Sequence, residues 1–75
     1  MRKNVTVVAE MRNSGKIIPL YILWENGKRF EIDKVLDVRL RASTKGGGVG
    51  LRYLVRIGQN ERFLFLDGII WFVEV

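Results

Sequence analysis

The sequence predicts an all-β fold, a small antiparallel SH3-like barrel or meander of about six strands. Three observations lead there. Val, Ile, Phe, Tyr and Trp cluster in short runs broken by Asn, Gly and Asp, the pattern of strands joined by tight turns. No window carries a 3.6-residue apolar stripe with a cap. The chain has 75 residues with 48% hydrophobic and 28% charged side chains, the balance of one small folded domain spanning 1–75.

Strand runs lie near residues 4–10, 16–25, 28–33, 35–43, 51–58, 61–66 and 69–75. Residues 34–42 come closest to a helical pattern, yet Val38-Arg39-Leu40-Arg41-Ala42 alternates as a strand does. Asn26-Gly27 predicts a two-residue type I′ hairpin that sets Leu23 against Phe30 and Tyr21 against Ile32. Asp67-Gly68 predicts a second, with Leu66 against Ile69 and Leu64 against Trp71. Gln59-Asn60 predicts a third, with Val55 against Leu64. Asn13-Ser14-Gly15 links the first two strands more loosely. An oligonucleotide-binding barrel is the alternative architecture. It usually needs more residues and a helix, and no helix is evident.

These registers divide the last three strands into two faces. One carries Tyr53, Val55, Ile57, Leu64, Leu66, Ile69, Trp71 and Val73 and reads as core. The other carries Arg52 and Arg56 among Leu54, Phe63, Phe65, Ile70 and Phe72, where a meander over one core should be polar. Residues 17–23 are likewise apolar at both parities. A second copy covering Leu54, Phe63, Phe65, Ile70 and Phe72 would resolve the excess, so a homodimer or higher oligomer is expected. The simpler alternative is that barrel curvature and a covering hairpin hide these side chains.

The charge is uneven. The net charge is +5. Residues 34–56 hold Lys34, Arg39, Arg41, Lys45, Arg52 and Arg56 against Asp37 alone, so they equal the whole net charge. A concentrated basic stripe is the footprint of a polyanion binder. If residues 36–43 pair with 50–57, Asp37 faces Arg56, Arg39 faces Leu54 and Arg41 faces Arg52. That last like-charge pair is unfavourable unless an anion sits between the two. Arg39, Arg41, Arg52 and Arg56, with Lys45 on the loop, are therefore the candidate nucleic-acid contacts, with Phe63 and Phe65 as stacking surfaces. A merely solvated barrel face is the plainer reading of the same charges.

Other chemistry is thinly represented. Without cysteine or histidine there is no disulfide, no zinc site of the usual ligands and no catalytic triad. The expectation is a non-enzymatic binding module with no metal and no cofactor. Residues 45–50 (KGGGVG) form neither a Walker A loop nor a dinucleotide fingerprint, because no helix follows. They suit a hairpin connection, or a small anion nest beside Lys45. Glu31 and Asp33 share a face and so form a candidate acid pair, although solubility explains them as well. Trp24 beside the Asn-Gly turn suggests a peptide groove, but the clustered acids of a proline-motif reader are not evident. No signal peptide or membrane-length apolar run is present, so a cytoplasmic protein without membrane contact is expected.

Residues 24–27 (WENG), 30–39 (FEIDKVLDVR), 45–53 (KGGGVGLRY) and 71–74 (WFVE) together resemble a family of small uncharacterised bacterial proteins. The resemblance spans roughly 18–75 and excludes the first strand. It implies no activity and carries over no catalytic residue.

Overall fold

Seven antiparallel strands make up the computed structural model, which describes residues 1–42 and 49–75. They are β1 (Arg2–Met11), β2 (Ile17–Leu23), β3 (Arg29–Glu31), β4 (Lys34–Ala42), β5 (Val49–Ile57), β6 (Asn60–Asp67) and β7 (Ile70–Glu74). They correspond one to one with the seven runs read from the sequence. One sheet of order β3-β2-β1-β7-β6-β5-β4 curls into a half-barrel. No helix among the described residues is long and apolar enough to cross a membrane.

The curl brings the two ends of the sheet together where β3 runs into β4. Ile32 N–H still bonds to Leu20 of β2, whereas the next amide, Asp33 N–H, bonds to the Arg56 carbonyl of β5. The Asp33 carboxylate then accepts the Gly58 N–H at 2.7 Å, anchoring the β5–β6 turn to the same corner. Asp33 is thus a turn anchor, and Glu31 is held by Arg29 at 2.7 Å. Both carboxylates of the candidate acid pair are engaged separately.

Inside the curl lies the core of Ile22, Tyr53, Val55, Leu64 and Leu66, with Val5, Val7, Trp24, Phe30 and Trp71 packed around it. The Tyr53 hydroxyl donates to the Ile17 carbonyl at 2.6 Å, so the largest fully buried side chain also ties β5 to β2 across the fold. Burial of Tyr53 raises its pKa above the ordinary phenol value.

Two bulges account for runs that are apolar at both parities. Val8 pairs with Tyr21 but Ala9 with Pro19, leaving Leu20 as the extra residue. The parity of β2 therefore switches there, and both Pro19 and Ile22 reach the buried side. Pro19 lies where β2 has outrun β3, at the bulge, as a proline in a sheet should. The second bulge, at Leu36, lets Val35 oppose Val55 and Val38 oppose Tyr53.

The hairpin registers differ from expectation for a common reason. Among the described residues, positive φ falls on glycine alone. At Asn26-Gly27 only Gly27 is left-handed (φ 81°), and Gly27 N–H bonds to the Trp24 carbonyl while Trp24 N–H bonds to Lys28. That is a three-residue loop with a glycine bulge rather than a type I′ turn. It moves the register by one, so Ile22 faces Phe30 and Tyr21 faces Glu31. In the last hairpin Gly68 (φ 63°) takes the first central position, and the loop is Gly68-Ile69. Leu66 therefore faces Trp71, and Ile69 is an exposed loop residue, not core. The β5–β6 loop is likewise Gly58-Gln59, which sets Val55 against Arg62 and Tyr53 against Leu64. These last two shifts are of two residues, so the side chains other than Ile69 stay on the faces assigned to them.

Candidate nucleic-acid interface

The convex face is built from the alternate residues that β4 through β7, and then β1, turn away from the core. The pairing Arg39–Arg52–Phe65–Phe72–Asn4 runs straight across it. A parallel row runs Asp37–Leu54–Phe63. Leu54, Phe63, Phe65, Ile70 and Phe72 do share one face with Arg39, Arg41 and Arg52.

The β4–β5 register differs from expectation by two residues. Arg39 faces Arg52, Asp37 faces Leu54, and Arg41 faces Gly50. The like-charge pair is thus Arg39/Arg52, not Arg41/Arg52, and Arg56 faces Lys34 rather than Asp37. Asp37 instead accepts a hydrogen bond from Arg39 at 2.8 Å, which lowers the Asp37 pKa and raises that of Arg39. Arg56 lies 3.6 Å from Glu61. Lys45 and the glycines at 46–48 lie outside the described residues.

Arginines cover the aromatic excess. Phe65 and Phe72 stack with centroids 4.9 Å apart and planes within 9°, and both are buried although they lie on the convex side. The Arg2 guanidinium lies 3.8 Å from the Phe72 centroid, and the Arg41 guanidinium 4.8 Å from that of Phe65. Arg52 sits 4.8 Å over Phe63. Each contact is worth ~0.5–1 kcal/mol at an exposed site, and the aliphatic stems add shielding of the rings. Within one chain, then, Phe65 and Phe72 are already covered. Phe63 (47% exposed) and Ile70 remain at the surface, with Leu54 half-buried.

Gly50 makes this possible. Arg41 is on β4 and its ring partner is on β6, so the side chain must cross β5. It crosses at Gly50, directly opposite, with its Cγ 3.3 Å from where a Cβ would stand. That Cβ would also meet the Leu66 carbonyl oxygen at 3.1 Å. Gly50→Val is therefore expected to lower stability by ~1–3 kcal/mol through overpacking, against the usual preference for valine in a strand. A fall in the urea midpoint at constant m checks this; an unchanged midpoint would show that Arg41 can find another path.

Arg41 and Arg52 differ from the other arginines of the face in their close contacts, although the Arg52 charge also helps to lower the Asp37 pKa. Arg2, Arg39 and Arg56 each have a carboxylate within 4.0 Å. Among the described residues, Arg41 and Arg52 have ring contacts and no such carboxylate. A guanidinium whose near contact is a ring keeps N–H donors for a further acceptor. The surface can thus bind anions, and its exposed ring can stack a flat group.

The concave side offers a different feature, an open apolar cavity of about 480 Å³ at one end of the half-barrel. Trp24, Phe30, Ile57 and Val73 line it, and the Trp24 and Phe30 rings meet edge to face at 6.2 Å. Trp24 therefore belongs to the inner wall. No group of three metal-ligating side chains occurs among the described residues.

Sequence reasoning missed Arg2. Its place over Phe72 depends on β1 pairing with β7, with Arg2 opposite Glu74, and no turn connects those strands to announce it. An arginine at the outward parity of the first strand was the one available signal. Compared with known proteins, the chain matches no family model, no curated protein and no solved structure.

Proposed function

We propose that this protein is a non-enzymatic module that binds single-stranded nucleic acid on its convex face. Arg41 and Arg52 contact phosphates, with Arg39 beside them, and Phe63 stacks a base. The observation that carries the reading is a pair of guanidiniums over rings that, among the described residues, have no carboxylate within 4.0 Å, next to a half-exposed phenylalanine. Affinity in such a site comes from phosphate neutralisation and base–aromatic stacking together. Phe65 and Phe72 take no part in stacking, since arginines and neighbouring rings already occupy their faces.

Fluorescence anisotropy with a labelled single-stranded oligonucleotide and a duplex of equal length tests this. Three arginine–phosphate contacts predict a log–log salt slope of about −2 for the single strand. Tighter binding to the single strand, with that slope, is the expected result. Absence of binding at low salt would end the proposal.

A further inference from the structure

The half-barrel leaves one long strand with a free edge. Among the described residues, β4 is the last strand of the sheet, paired with β5 and with no strand on its other side. Near its start, the β3–β4 corner closes the curl through Asp33. Beyond that corner the edge is open, and its inward-parity residues are not covered: Val38 is 46% exposed and Leu40 77%. An exposed, regular, partly apolar edge is a template for another strand, and proteins usually blunt such edges with prolines, bulges or inward charges. From Asp37 to Arg41 this edge has none of those, since its charges alternate on the outward side.

The charge pattern identifies the occupant. We infer that β4 pairs antiparallel with β4 of a second copy of this chain, about a twofold axis at Val38. That register sets Val38 against its own counterpart and brings Leu40 to the bulge at Leu36 of the second copy. It also sets Asp37 of each chain against Arg39 of the other. With the Asp37–Arg39 bond already inside each chain, four charges of alternating sign form a ring around the axis. Shifting the axis by one residue, to Arg39, would put two arginines directly opposite and is disfavoured. The sequence of β4 is thus self-complementary in one symmetric register, which is what an isologous interface requires. The axis is perpendicular to the sheet, so both convex faces lie on the same side and the two Arg41/Arg52 patches join one continuous surface.

The inference stands independently of nucleic-acid binding and is tested without nucleic acid. Sedimentation equilibrium at about 100 µM chain, well above a micromolar Kd, should give twice the mass of one chain. Leu40→Lys, Asp37→Arg and Arg39→Asp should each weaken the dimer at least tenfold. None of the three removes a buried side chain, and far-UV circular dichroism reports whether each stays folded. The double variant Asp37→Arg/Arg39→Asp exchanges the ring of charges and should dimerise like the original. A monomeric original chain would overturn the inference. So would a dimer insensitive to the single changes, which would place the contact elsewhere, such as at Phe63 and Ile70. A folded double variant that stays monomeric would overturn the register.

Discussion

Tyr53→Ala is expected to cost ~3–5 kcal/mol, the range for removing a buried large aromatic side chain. A domain of this length has a total stability of about 4–11 kcal/mol at typical values per residue, so the change removes from about a quarter to all of it and should lower the urea midpoint steeply. Three things are lost at once. Tyr53 is 2% exposed and sits at the centre of the core cluster. Its ring lies 5.4 Å from Trp71. Its hydroxyl holds the Ile17 carbonyl at 2.6 Å, joining halves of the sheet that pair through no ladder there.

Tyr53→Phe separates the last term from the others. It keeps the ring and should cost ~1 kcal/mol for the hydrogen bond. Its pH dependence has a definite sign. Burial raises the Tyr53 pKa in the folded state, so the folded chain holds its proton more tightly than the unfolded chain does. The stability advantage of tyrosine over phenylalanine is therefore full below the ordinary phenol pKa of about 10. It falls as pH rises through the higher folded-state value. Urea melts of the two proteins at neutral pH and above pH ~10 should show the gap narrowing. A gap constant with pH would mean the hydroxyl is not sequestered.

The second large effect concerns binding. The double change Arg41→Gln/Arg52→Gln should weaken single-strand binding about a hundredfold or more, at ~1.5–3 kcal/mol for each charged hydrogen bond removed. It should also flatten the salt slope by about 1.4, since each phosphate contact contributes about 0.7. Phe63→Ala should behave differently. Losing one base stack costs ~1–3 kcal/mol, only for the single strand, with the salt slope unchanged. Equal losses on duplex and single strand would reassign Phe63 to packing under Arg52. Anisotropy across a salt series measures all three quantities, and melts of the same variants show whether Phe65, once uncovered by Arg41→Gln, destabilises the fold.

The contrast between expected and observed registers shows what kind of information each level carries. The strands and the two faces of β5, β6 and β7 were readable because alternation is a local, period-two property. The errors at Gly58 and Gly68, being shifts of two, left every assigned face intact except at Ile69, which became a loop residue. The one-residue error at Gly27 did not, because a type I turn with a glycine bulge and a type I′ turn can both use Asn-Gly. Choosing between them depends on whether Phe30 or Glu31 must meet the buried Ile22 in the finished core. The bulge at Leu20 was visible only as an excess of apolar residues at both parities in 17–23, and the one at Leu36 only in the near-helical spacing of 34–42. A second copy explained that excess as well as a parity switch did.

The candidate site divides in the same way. Arg39, Arg41 and Arg52 were placed on one face with Phe63 and Phe65 by parity alone. The pairing of Arg39 with Arg52, the crossing of Arg41 over Gly50, and Arg2 over Phe72 required the three-dimensional register.

By itself, then, the 75-residue sequence without cysteine or histidine determined an all-β chain, its strands, a +5 charge concentrated in 34–56, and an apolar excess on a second face. Tertiary structure decided how that excess is handled. A curled sheet has a convex side as well as a concave one, and strands distant in sequence meet there. Arginine stems from β1 and β4 can then lie across rings of β6 and β7. The same curl stops short of closure along β4, because β3 is too short to reach it. The basic face and the open edge are both consequences of where the sheet bends and where it ends, and neither quantity is local to any stretch of the chain.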